Sequence, residues 1–160
     1  MALRSGKRNA ARTAILVAMT GLSACSVLDT DGRESERERL EANRAQWESQ
    51  GVDSYEFVLR SLCFCAGGTS PSRVIVRSGQ RLSVTDVESG APVPEAFAQY
   101  YLTIDELFDF IADAIDRKAH EIDVTYDATF GFPTRIAIDY IENAIDEEMA
   151  FEASLFLPQR

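Results

Sequence analysis

The stretch Thr103-Ile104-Asp105-Glu106 narrows the folds open to this chain more than any other. A threonine with a glutamate three residues on can form a capping box: the hydroxyl accepts from the glutamate amide, and the carboxylate reaches back to the threonine amide. Behind it Ile104, Leu107, Phe108, Ile111 and Ile115 recur at helical spacing, while Asp105, Asp109, Asp113 and Asp116 turn outward. Arg117 and Lys118 fall in the last turn, where cations suit the helix dipole. A helix with so apolar a stripe must lie on something flat and equally apolar.

The sequence on either side supplies that surface. Tyr55, Phe57 and Leu59 alternate with Glu56, Val58 and Arg60, a two-residue period that marks a strand running on through Leu62 and Cys63. Arg73–Arg77 and Gln80–Val87 flank Ser78-Gly79, the pattern of a tight hairpin. Gly90, Pro92 and Pro94 break the alternation into a loop ending near Tyr101. Beyond the helix Ile122, Val124 and Tyr126 alternate again, and Asp127–Pro133 is a turn. Ile136, Ile138 and Tyr140 form the next strand, and Met149–Phe156 makes the last after a polar loop of Glu142–Glu148. Upstream, Glu34–Gln50 reads as another helix. Glu34/Arg37, Glu36/Arg39, Arg37/Glu41 and Arg44/Glu48 fall three or four apart, Leu40 and Trp47 mark a narrow apolar stripe, and Gly51 is a stop. Its first half is nearly all polar, so only the Trp47 end is expected to dock. Helix and three strands are thus repeated twice. That order predicts an α+β fold, a six-stranded antiparallel sheet with two helices packed on one face.

The N-terminal end is of another kind. Arg4, Lys7, Arg8 and Arg12 precede the apolar run Thr13–Met19, and Leu22-Ser23-Ala24-Cys25 follows. A basic start, an apolar run too short to span a bilayer and a small-residue close are the parts of a secretory signal peptide. The last four residues match the lipobox of bacterial lipoproteins, whose cysteine thiol is acylated and becomes the mature N-terminus. Residues 1–24 are therefore expected to be a lipoprotein signal peptide, 25–33 a lipidated tether and 34–160 a single α+β domain. Each buried methylene contributes about 0.8 kcal/mol, so several acyl chains on Cys25 would hold the protein permanently at the membrane. Ser26, where an Asp would favour inner-membrane retention, points to an outer membrane facing the periplasm in a Gram-negative host.

Four of the 16 Lys/Arg residues precede Cys25 and none of the 26 Asp/Glu does, so the chain from Cys25 on carries 12 basic and 26 acidic residues, net −14. Such a surface repels phosphate backbones and anionic headgroups. Nucleic acid is not an expected partner, and membrane contact is left to the lipid.

With Cys25 acylated, the remaining thiols are Cys63 and Cys65, in Cys63-Phe64-Cys65. In an oxidising compartment they can close a disulfide. Residues two apart on a strand hold their Cα atoms about 6.5 Å apart, near the limit a disulfide spans, and Ala66-Gly67-Gly68 offers a bend that would shorten it. After the disulfide, the alternatives in order are two reduced core thiols and then a soft-metal or redox site.

Catalytic constellations are scarce. His120 is the single histidine, which leaves a Ser-His-Asp triad no choice of imidazole, and it reads as a helix-end surface residue. Cys-x-Cys with one histidine falls short of a zinc site. Gly67-Gly68-Thr69 lacks the lysine and helix of a phosphate loop, and no cofactor is expected. Asp139, Glu142, Asp146, Glu147 and Glu148 gather around one hairpin without EF-hand spacing, and read as a solvated turn before a calcium site. Asp127 and Asp139 are the carboxylates an acid–base enzyme would pair, supported only by the abundance of acids. The distinctive turn is Tyr126-Asp127 with Phe130-Gly131-Phe132-Pro133. It could display its aromatics to a partner. Alternatively, Gly131 supplies a positive φ and Pro133 stiffens the hairpin exit while the aromatics fold inward.

In order along the chain, Trp47, Ser54-Tyr55-Glu56-Phe57, Cys63-Phe64-Cys65, Val74–Gly79, Thr103–Phe108, Val124–Asp127, Gly131-Phe132-Pro133 and Asp146-Glu147-Glu148 form a set. The set resembles an uncharacterised family of bacterial lipoproteins, the domain of unknown function numbered 6174, over about Leu40 to Phe156. The resemblance implies fold and location and brings no activity. The helix-plus-three-strand unit is also similar to PepSY and β-lactamase-inhibitor-protein-like modules, which bind proteins or peptides in the cell envelope, although fold does not fix function. The expectation is a lipid-anchored, non-catalytic envelope module that binds a protein or peptide through a sheet face or its loops. The alternative is a redox or metal-binding envelope protein acting through Cys63 and Cys65.

Overall fold

The computed structural model describes residues 27–62, 70–142 and 148–159, and the side chains of all of these except 27–31 and 148. Strands β1 (Tyr55–Leu62), β2 (Ser72–Arg77), β3 (Gln80–Asp86), β4 (Glu121–Tyr126), β5 (Pro133–Asp139) and β6 (Glu148–Pro158) form one antiparallel sheet. Their order is β3-β2-β1-β6-β5-β4, so the first and last strands of the chain make the central pair. The period-two alternation aims Tyr55, Phe57, Leu59, Val74, Val76, Ile136, Ile138, Phe151 and Ala153 to one face, where all are buried. Helices α1 (Val27–Ser49) and α3 (Ile104–Asp116) cover that face, with Leu40, Trp47 and the Ile104–Ile115 stripe in the same core. The α+β sheet with two long helices on one face is as the periodicity predicts. A short helix, α2 (Glu95–Ala98), falls in the loop before Tyr101 and is an addition; four residues after Pro94 carry no periodic signal.

Two local signals are realised as expected. Ser78 and Gly79 both take positive φ, 48° and 74°, as a two-residue hairpin matched to strand twist requires. At the start of α3 the capping box is complete: the Glu106 amide donates to Thr103 Oγ1 (3.2 Å) and the Thr103 amide to Glu106 Oε2 (2.7 Å). The sheet supplies one more acceptor there, because the Ile104 amide donates to the Tyr55 hydroxyl at 3.0 Å. Burial pushes the Tyr55 hydroxyl pKa up, which keeps it a neutral partner. The far end closes with Lys118 at φ 59°, its amide donating to Ile115 O and that of Ala119 to Ala114 O, a left-handed cap usually taken by glycine.

Helix α1 departs from expectation twice. It begins at Val27, ahead of Glu34, so helix enters the segment read as tether. It also docks well beyond its Trp47 end. Arg37 donates to Asp116 (2.6 Å), Arg44 to Asp109, and Arg39 to the Val124 carbonyl (2.9 Å). Of the four ion pairs expected within the helix, Glu36–Arg39 (2.7 Å) and Arg44–Glu48 (3.6 Å) form among the described contacts. The arginine stems are long enough to bridge to the acidic edge of α3, and spacing within one helix does not reveal such a neighbour.

Candidate functional site

Among the described residues no helix covers the opposite face of the sheet. Register places Glu56, Val58, Arg60, Arg73, Ile75 and Arg77 of β1 and β2 on it, with Glu121, Asp123, Arg135, Ala137 and Asp139 of β4 and β5. Arg60 pairs with Glu152 (3.7 Å) and Arg135 with Asp123 (2.6 Å) across neighbouring strands. What distinguishes this face is a bulge in β6. Pairing with β1 shifts between Glu56 and Val58, and Leu155 takes φ 52°. Left-handed backbone at a bulky residue is an outlier that persists only when its surroundings impose it. The bulge turns Phe156 into the aromatic core, 4.8 Å from Phe132 between ring centres, and leaves Leu155 and Leu157 73% and 56% exposed. With Glu56, Val58 and Arg73 these leucines border a pocket of about 340 Å³. Further across the face, a hollow of about 240 Å³ has Ala137 and Ala150 in its lining and Glu121, Asp123, Arg135 and Asp139 around it. The signal for the bulge was present in the sequence: Leu155-Phe156-Leu157 puts three apolar residues in a row and breaks the alternation.

A second cluster lies under α1. Glu36 is 8% exposed and its Oε2 accepts from Arg39, while Oε1 and the Tyr126 hydroxyl are buried with no hydrogen-bond partner among the described residues. Burial raises the Glu36 carboxyl pKa above the ordinary 4.5, opposed by the Arg39 guanidinium; burial and then the Glu36 charge raise that of Tyr126. The folded state therefore holds the Glu36 proton more tightly than the unfolded chain does. The stability this confers is fully present below about pH 4.5 and is lost as pH rises through the folded value. Glu36→Gln has no such titration. Melting temperatures of the pair should diverge in the variant's favour between about pH 4 and pH 7. A difference constant with pH would show that Glu36 titrates normally.

The sequence candidates are dispersed. Phe132 is buried, Phe130 is half-buried, and both pack with Phe156 beside Trp47. Asp127 Oδ1 accepts from the Thr129 and Phe130 amides, and Gln46 donates to the Ala128 and Thr129 carbonyls, so the turn is held from within and from α1. Gly131 has φ 83° and Pro133 opens β5. Asp127 precedes β5 and Asp139 ends it, about 20 Å away along a seven-residue strand, too far to act on one bond. His120 is exposed, on a crevice shared with Arg33 and Glu36. Asp139 Oδ1 accepts from the Ile141 amide and Glu142 is exposed. Cys25, Cys63, Cys65, Asp146 and Glu147 lie outside the described residues. Among the described residues no three His, Cys, Asp or Glu side chains are placed to hold a metal, and no helix is long and apolar enough to cross a membrane.

No curated protein and no solved structure matches the chain. Residues 39–158, from the Arg39 anchor of α1 to the end of β6, match a family whose description is family of unknown function, DUF6174. That span takes in every strand of the sheet and the capped helix, and the chain belongs to this family.

Proposed function

We propose that the protein is a lipid-anchored, non-catalytic module of the bacterial cell envelope that binds a protein or peptide through the helix-free face of its sheet. The observation that carries the binding role is the β6 bulge. The bulge that turns Phe156 into the core also holds Leu155 and Leu157 in water, where these two side chains contribute nothing to an isolated domain and would contribute to one that buries them against a partner. Support for the anchor is the order of basic start, short apolar run and Leu22-Ser23-Ala24-Cys25. The likeness of the helix-plus-three-strand unit to PepSY and β-lactamase-inhibitor-protein-like modules agrees with a binding role, and the acidic balance argues against nucleic acid.

Two measurements test the two halves. Radiolabelled palmitate should enter the full chain and not its Cys25→Ser variant, and only the parent should stay with the membrane fraction. Equal labelling or equal retention removes the anchor. A photo-crosslinking residue at Ser154, which is exposed on the helix-free face, should capture partners in intact envelopes, while the same residue at Glu41 on α1 should not. Equal capture at both positions, or none at Ser154, removes the binding face.

A further inference from the structure

We infer that the partner bound by the helix-free face is a second copy of this chain, joined across a two-fold axis. The inference rests on the reading of that face as the binding surface and adds its occupant.

Four features of the face form two pairs, each member complementary to the other and not to itself. The Leu155–Leu157 ridge is exposed near one end of the β1–β6 pair, and the Ala137–Ala150 hollow lies toward the other end of β6, beside β5. Arg77 of β2 occupies one corner, with Arg73 inward of it along the same strand beside the ridge; Glu121 of β4 and Asp139 of β5 occupy the diagonally opposite corner, beside the hollow. The diagonal follows from register: Arg77 lies one residue past Val76, which aligns through Tyr55 with Pro158 at one end of β6, and Arg73 aligns with Ser154 nearer its middle, whereas Asp139 aligns with Glu148 at the other end. An isologous interface requires that what one copy offers, the other receives. A two-fold axis lying in the plane of contact, at right angles to the line joining the corners, meets that requirement. It carries each ridge toward the partner's hollow and each arginine corner over the partner's acidic corner.

The area is sufficient. Six strands about 4.8 Å apart and roughly six residues long give a face of about 29 by 20 Å, so two copies would bury on the order of 1,200 Å², within the range of specific interfaces. A chain this acidic repels its own copies at long range, so an orientation that opposes unlike corners is selected over others.

The test uses two differently tagged full-length chains co-expressed and extracted in mild detergent. The parent chains should co-purify, and the crosslinker at Ser154 should join tag to tag. Leu155→Gly removes half the ridge while suiting the left-handed backbone, so the variant should fold at least as well and lose most of the co-purification. Arg73→Glu and Glu121→Lys should each abolish self-association and restore it when mixed with one another. Both corners are then complementary in the mixed pair and repulsive in each homodimer. We expect the mixed pair to exceed either homodimer by about tenfold. No co-purification of the parent, or no preference for the mixed pair, overturns the inference. Adducts at Ser154 with a different envelope protein alone overturn it while leaving the binding face standing; no adduct of any kind overturns both.

Discussion

Trp47→Ala is expected to cost about 3–5 kcal/mol, the largest loss from any single truncation in this core. The indole is 3% exposed, and its ring lies edge-on to Tyr55 (5.5 Å between ring centres), Phe156 (5.7 Å) and Phe132 (6.2 Å). Its Nε1 donates to Asp105 Oδ1 at 3.0 Å, in the first turn of α3. One side chain therefore joins α1 to β1, to the bulged strand β6, to the turn before β5 and to α3. An alanine leaves a cavity that four elements would have to close together, which rigid packing prevents. For a domain of this size the loss corresponds to a fall in melting temperature of roughly 10–20 °C. Trp47→Phe, which keeps most of the apolar area and loses the hydrogen bond, should cost about half as much. Thermal denaturation followed by circular dichroism measures both. A loss under about 1 kcal/mol for Trp47→Ala would mean that α1 is held chiefly by its arginines.

What could be read without the structure follows the range of the interactions concerned. The capping box of Thr103 and Glu106 and the Ser78-Gly79 hairpin are made within a few residues, so residue type and spacing state them completely. The sheet and its helix-covered face follow from period-two alternation, because one face must be buried. The docking of α1 was not legible. Arg37 and Arg44 have acceptable acids three or four residues away, and nothing local says that Asp116 and Asp109 compete for them. Glu36 reads as one more surface acid until Arg39, held on the Val124 carbonyl, and Tyr126 are placed beside it. The helix-free face was legible as a face, but its ridge showed only as the break in alternation at Leu155-Phe156-Leu157, since which of the three stands outward is set by how β6 must pair with β1 and not by β6 alone. Phe130 and Phe132 were open to two readings because an aromatic in a turn has the same sequence whether it points in or out.

Gly131→Ala separates the two requirements that meet at that turn. The residue has φ 83°, where a side chain adds about 1–2 kcal/mol of backbone cost. In addition, a Cβ there would stand 2.6 Å from the Asn43 carbonyl oxygen and 3.0 Å from Gln46 Cβ, both on α1. The first of these is helix backbone and cannot step aside. Relief would require the turn to lift from α1, breaking the Gln46 hydrogen bonds to Ala128 and Thr129 and loosening Phe132 from Trp47. The expected loss is about 3 kcal/mol or more. Gly79→Ala is the matched control: φ is 74° and no atom lies within 4 Å of the new Cβ, so only the conformational cost of about 1 kcal/mol remains. Urea denaturation of the two variants should give midpoints well separated, with Gly131→Ala the lower. Equal midpoints would mean that the turn does not press on α1, and that the contact between Gly131 and Asn43 contributes nothing to the fold.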